Sequence, residues 1–355
     1  GPQTQRAINN FPISGITFNF PFSRTFIKTL GVIKQASAKA NKTLNLIDTK
    51  RSNGIVKASK EVLSGKHDNQ FPIDIFQTGS GTSTNMNANE VIARLASKYS
   101  GVEVDPNNHV NLSQSSNDVI PTAINISSHC GMTRQLLPAL SGLIKTIDEK
   151  AKKLEGIIKT GRTHLMDAMP VDMSQELLAW KSQLDSSYEF LLSITNKLLS
   201  IPQGGTAVGT GINAHPRFSK EFAKEVAKID KIKVKPSNNF FHSISSQDMS
   251  LRLSGELRNL AVILMKISND LRWMNSGPLA GIAEIELQAL QPGSSIMPGK
   301  VNPVIPEAVT MVSADVIGND ATITIAAQSG NFQLNVMLPV IAYNLLKSIN
   351  ILSGA

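Results

Sequence analysis

The feature that most constrains this chain is a leucine rhythm between Asp248 and Met274. Leu253, Leu257, Leu260, Leu264, Ile267, Leu271 and Met274 follow one another at alternating steps of four and three. That spacing draws one apolar stripe along a single helix, like the seam of a coiled coil. A second stripe runs between Pro170 and Leu199 through Met173, Leu177, Trp180, Leu184, Tyr188, Leu191 and Leu198. At about 1.5 Å per residue, each helix is roughly 40 Å long. Helices of that length cannot bury their stripes in a small globule. They need one another, and partner subunits, in an elongated bundle. The expected fold class is mainly α.

Composition agrees. Aromatic residues are only 5% of the 355, while the 41% hydrophobic content is carried by aliphatic side chains suited to helix seams. A chain of this length exceeds one compact core. The net charge is +8, but the basic residues are scattered, and the densest run, KIDKIKVK at 228–235, is broken by Asp230. Nucleic-acid binders cluster their charge, so a solvated face is the better reading and no nucleic-acid partner is expected. The excess still favours a small dianion. The single Cys130 excludes an intrachain disulfide and fits a reducing compartment. The longest charge-free run, between Asp320 and Lys347, holds Gln328, Asn331, Gln333, Asn335 and Pro339. It is too polar for a membrane span, and a soluble protein is expected.

Along the chain, residues 1–20 read as irregular, with helices over about 23–45 and 53–64. Two polar stretches follow, FQTGSGTSTNMN (76–87) before a helix from about Ala88, and NNHVNLSQSSND (107–118) before one with Pro121 in its first turn. Further helices are expected over about 170–199 and 248–274, from near Pro306 towards Gln328, and after Pro339. Between the 248–274 helix and the one from near Pro306 lies QPGSSIMPGKVNP (291–303), whose three prolines and two glycines exclude helix and central strand. Its Ser294, Ser295, Lys300 and Asn302 can grip a carboxylate while offering an oxygen nucleophile or base. Rival signatures are missing: there is no GxGxxG after a strand, no GxxxxGK[ST], no HExxH and no GxSxG. The six histidines show no metal-ligand spacing.

The loop GSSIMPGKVNP resembles the signature of the fumarase/aspartase superfamily, and its MPGK form is similar to class II fumarases. QTGSGTSTN (77–85), SQSSND (113–118), TGRTHLMDA (160–168), QGGTAVGTGIN (203–213) and SGNFQLNVM (329–337) match the same family pattern in order. This resemblance implies a domain of five long helices, four copies of which form a twenty-helix tetramer core with active sites shared between subunits. It further implies an N-terminal domain over 1–118 lacking its first segment, a long-helix domain over 119–355, and a missing small C-terminal domain.

The implied activity is the reversible hydration of fumarate to L-malate without metal or organic cofactor, in the cytoplasm or, in a eukaryote, the mitochondrial matrix. Ser294 matches the family's base, His164 the residue that manages the water and the second proton, and Glu307 the carboxylate that orients His164. Lys300 and Asn302 match its carboxylate contacts, and Lys300 with loop backbone N–H groups can stabilise the alkoxide of a serine base. Ser80, Thr82, Ser115, Ser116, Asn117 and Thr163 match the donors that bind the two substrate carboxylates. Two stretches depart from the pattern. VIPEA (304–308) resembles the aspartase form, and DPNNH (105–109) has Asp105 and Asn108 where many fumarases carry His and Asp, which bears on the family's secondary anion site. The alternatives are an aspartase-type ammonia lyase, against which His164 stands, and a non-catalytic structural relative.

Overall fold

The structure is a computed structural model that describes residues 1–18, 24–291, 293 and 295–355. Among the described residues it holds twelve α-helices and three two-stranded ribbons. The fold is mainly α, and its body is a set of long helices packed side by side. Leu137–Lys153 lies against Met173–Lys197, which lies against Asp248–Met274. That helix packs on Val304–Gln328, and Val304–Gln328 on Leu338–Gly354. The leucine rhythm explains the central member. Leu253, Leu257, Leu260, Ile267 and Met274 are buried, while Leu264 and Leu271 sit half-buried at its margin. Each buried leucine contributes roughly 2 kcal/mol. A polar pin fixes the register to the neighbouring helix: Ser254 Oγ donates to Asp320 Oδ1 at 2.7 Å and Arg258 pairs with Asp320 Oδ2 at 2.9 Å.

A second layer forms around Arg24–Thr43, which packs on Thr49–Ser64, Phe218–Asp230 and Ser116–Gly131. Phe26, Ile27, Leu30 and Ile33 are buried, and so is Lys34. The Asp48 side chain caps the 49–64 helix by accepting from Arg51 N, and Gly65 closes it in the left-handed region at φ 90°.

Several boundaries differ from the sequence expectation; the helix expected over 53–64 begins at Thr49, where the Asp48 cap sets its start. Residues 2–10 are helical, not irregular, because the first-turn N–H groups of Gln3 and Thr4 are taken by the distant Glu90 carboxylate at 2.8 and 3.0 Å. The helix expected from Ala88 begins at Thr82, since its polar residues Asn85, Asn87 and Asn89 are buried in tertiary hydrogen bonds. Pro121 lies inside the 116–131 helix, whose start is set by a capping box between Ser115 and Asp118. Residues 158–163 and 166–172 pair as an antiparallel hairpin with Thr160 opposite Pro170. The following helix starts only at Met173, where Asp172 and Gln175 form a second capping box. The helix expected from Ser23 starts at Arg24; residues 19–23 lie outside the described residues.

Candidate active site

The sequence-derived residues fall into three groups. The first is built where two helix N-termini meet. Ser80 and Thr82 share a hydroxyl–hydroxyl hydrogen bond of 2.7 Å at the start of the 82–100 helix. Ser115, Ser116 and Asn117 open the 116–131 helix, and Asn85 Nδ2 donates to Ser116 Oγ at 2.8 Å, joining the two termini. Two N-termini with inward hydroxyls and amides form an anion-friendly corner.

Close backbone approach holds that corner. A Cβ on Gly79 would lie 1.8 Å from Val336 O, and Leu338 N donates to Gly79 O at 2.9 Å. Only glycine fits there, so the 329–337 segment is clamped against the 77–85 loop. The 203–211 turn is tied in by Asp118, whose Oδ2 accepts from Gly204 N and Thr206 N at 2.9 Å each. Asn117 Nδ2 donates to Ala207 O at 2.8 Å.

Two buried charges stand behind this corner. Burial pushes the Asp118 carboxyl up to about 6, against hydrogen bonds from Ser115, Gly204 and Thr206 and the charge of Lys34. Burial likewise brings the Lys34 ammonium down to about 7, against the charge of Asp118.

The second group sits on the hairpin. Thr163 ends its first strand, and His164 and Leu165 form a two-residue turn with φ of 57° and 62°. A turn with both central residues in the left-handed region normally takes Asn-Gly. Two bulky residues there store strain of a kind found at functional positions. Thr163 and His164 are exposed. The hairpin's base is anchored instead: the buried Lys159 ammonium contacts Glu176 and lies 2.8 Å from Glu284, and Arg162 lies 3.1 Å from the other Glu284 oxygen.

The third group is the 291–303 loop. Gly293 N donates to Lys300 O at 2.9 Å, Lys300 N to Met297 O at 3.2 Å, and Asn302 Nδ2 to Gly293 O at 3.5 Å. Gly299 takes φ 83°. Lys300 and Ser295 line an open depression of about 590 Å³ with Gln291 and Val301. Ser294 lies outside the described residues. Glu307 stands half-buried in the first turn of the 304–328 helix.

Among the described residues of one protomer, no side-chain hydrogen bond joins His164 to Glu307, Lys300 or Asn302. The carboxylate-binding candidates Ser80, Thr82, Ser115, Ser116 and Asn117 come together at the two helix N-termini, whereas Thr163 and His164 lie on the hairpin and Lys300, Asn302 and Glu307 on the 291–303 loop and the helix after it. Sequence reading missed Asp118, Asn85 and Lys34. The Ser-x-x-Asp spacing of a capping box could have flagged Asp118, whereas nothing local marks Lys34 as a buried lysine.

A family model described as Lyase matches residues 1–318. The chain is 55% identical over 354 residues to a protein of Pseudomonas aeruginosa named fumarate hydratase class II 2, covering 100% of this chain and 76% of that one. It is 46% identical over 360 residues to the class II fumarate hydratase of Thermus thermophilus, covering 100% of this chain and 77% of that one. Among solved structures, a recombinant class II fumarase from Schistosoma mansoni superposes with a TM-score of 0.96 at 39% identity, over 99% of this chain and 78% of that one. A fumarate lyase:delta crystallin from Brucella melitensis gives 0.96 at 41% identity, over 100% of this chain and 78% of that one.

Proposed function

We infer the chemistry from one premise: the chain belongs to the lyase family, in its class II fumarase branch. It is an enzyme that hydrates fumarate reversibly to L-malate. The observation that carries the site assignment is the meeting of two helix N-termini at Ser80, Thr82, Ser115, Ser116 and Asn117. Such a corner offers hydroxyl, amide and backbone donors to a dicarboxylate.

Dehydration of malate removes a proton from the carbon beside a carboxylate and expels hydroxide from the next carbon. Ser294 takes that carbon-bound proton as its alkoxide, which Lys300 and loop N–H groups stabilise. The electron pair left on carbon spreads onto the neighbouring carboxylate. Lys300, Asn302 and the serine and threonine donors stabilise the resulting dianionic form. His164, oriented by Glu307, gives a proton to the departing hydroxide so that it leaves as water. Thr163 binds beside it. In the hydration direction each proton retraces its path.

Within one chain no side-chain hydrogen bond joins His164 to Glu307 among the described residues, which supports a site assembled from several subunits of a homotetramer. The 304–328 helix supports this too. It is apolar on nearly every side, yet Ile305, Met311 and Ile325 are more than half exposed in a single chain. A helix apolar all round belongs inside a larger core. In this reading residues 1–118 supply most of the carboxylate-binding loops, and residues 119–355 the long helices and acid–base groups. No helix among the described residues is long and apolar enough to cross a membrane, and a cytoplasmic setting fits the single buried Cys130.

The test is complementation. Ser294→Ala and His164→Asn are each expected to abolish malate dehydration, and an L-aspartate arm separates ammonia-lyase activity. Co-refolded as mixed tetramers from equal amounts, the two dead variants should regain roughly a quarter of the sites. No recovery in tetramers shown to be mixed would mean that each site is built within one chain.

A further inference from the structure

Lys34 sits in the middle of the 24–43 helix and is completely buried. In its charged form it carries three N–H donors and no lone pair, so every polar atom it touches must accept. It touches Asn111 Oδ1 at 2.9 Å and Gln114 Oε1 at 3.1 Å, which fixes the direction of both amides. Asn111 Oδ1 also receives Asn85 Nδ2 at 3.3 Å and Asn89 Nδ2 at 3.2 Å. Asn85 must therefore present its nitrogen. The other N–H of that nitrogen reaches Ser116 Oγ at 2.8 Å. The Ser116 oxygen is an acceptor on its inner side, and its O–H proton is left for an acceptor outside the network.

That polarity is not the one the asparagines would choose alone. Asn85 Oδ1 and Asn89 Oδ1 are buried and accept no hydrogen bond from the protein in this arrangement, which is costly. Turning the Asn85 amide over would give its oxygen the Ser116 proton. It would also set that oxygen against Asn111 Oδ1, which cannot turn while it faces an ammonium. One cation thus orders a chain of amides that ends on a hydroxyl of the carboxylate corner.

We propose that Lys34 is a positioning residue of the reaction: acting through Asn111 and Asn85, it holds the Ser116 hydroxyl with its proton directed at a substrate carboxylate. The inference rests on the reading of Ser116 as a carboxylate donor. Because that hydrogen bond exists in bound substrate and transition state alike, losing it weakens binding more than turnover.

The experiment measures kcat and KM for L-malate in the full-chain enzyme carrying Lys34→Met, Ser116→Ala, or both. Methionine fills a similar volume with no donor. Each single variant should raise KM about tenfold, the effect of roughly one charge-assisted hydrogen bond, with kcat changed less than threefold. The double variant should be no worse than Ser116→Ala, since both act through one hydroxyl. A structural role alone would instead lower the melting temperature with KM unchanged. Where Lys34→Met does not assemble, Asn85→Ala takes its place, with the same KM rise and the same lack of additivity expected. An unchanged KM in Lys34→Met, or multiplied losses in the double variant, while Ser116→Ala still raises KM, overturns the positioning role alone. An unchanged KM in Ser116→Ala overturns the reading of Ser116 itself and this inference with it.

Discussion

Lys159→Met probes the anchor of the His164 hairpin. The Lys159 side chain is 6% exposed and faces Glu176 and Glu284, whose side chains are 26% and 12% exposed. Burial lowers its ammonium's pKa, but hydrogen bonds to the two carboxylates and their charges outweigh it and leave the value raised. A raised lysine stabilises the fold at every pH below its unfolded value of 10.5, and that stability is lost only as pH climbs through the folded value.

Removing one partner of a buried pair costs about 3–5 kcal/mol, because the charge left behind has no compensation. Here Glu284 keeps Arg162 at 3.1 Å and Glu176 is partly solvated, so the low end, about 3 kcal/mol, applies. An unfolding entropy of about 2.1 cal/mol/K per residue gives roughly 0.75 kcal/mol/K for this chain, and hence a fall in melting temperature of about 4 °C. Differential scanning calorimetry at pH 7 reads the shift, and a malate dehydration assay should show kcat down about tenfold as the hairpin tip drifts. Adding Glu176→Gln to Lys159→Met removes the orphaned charge and should recover most of the melting temperature. A single variant melting within about 1 °C of wild type, or a double variant no better than the single, would refute the buried-pair account.

Gly79→Ala should abolish activity by pushing Val336 away from the carboxylate corner, since its Cβ would lie 1.8 Å from Val336 O. Gly142→Ala, at an exposed position of the 137–153 helix with nothing within 4 Å of the new Cβ, should stabilise by up to about 1 kcal/mol. Thermal melts and malate assays of the two alanine variants separate these outcomes; a fully active Gly79→Ala would contradict the clamp. Hydrogen bonds from His67, Lys66 and Tyr99 hold the Glu61 carboxyl down at about 2, against an ordinary 4.5. That depressed value means stability fully present above pH 4.5 and lost as pH falls towards 2. Glu61→Gln should therefore melt below wild type at pH 7 and approach it between pH 4.5 and 3; equal melting at pH 7 would dismiss the cluster as a stabilising one.

Much of this protein was legible without coordinates, because some instructions are local. The four-and-three spacing from Leu253 to Met274 specifies a helix and its buried side in any context, and the observed helix runs over the residues that spacing marks. The motif loops likewise contained the hydroxyl and amide residues that the structure gathers where two helix N-termini meet. What stayed hidden depends on groups far apart in the chain. The 2–10 helix exists because Glu90, 86 residues beyond Thr4, accepts its first N–H groups. The 158–172 hairpin depends on Lys159 and Arg162 finding Glu284, 122 residues beyond Arg162. Lys34 reads locally as one more helix-surface lysine, and becomes buried only because Asn111 and Gln114, 77 and 80 residues later, accept its hydrogen bonds. A helical period or a cap is a preference of neighbouring dihedrals and can be read from a short window of residues. The partner that satisfies a buried charge is chosen by the packed chain as a whole, where leaving the charge alone would cost more than the fold can offset.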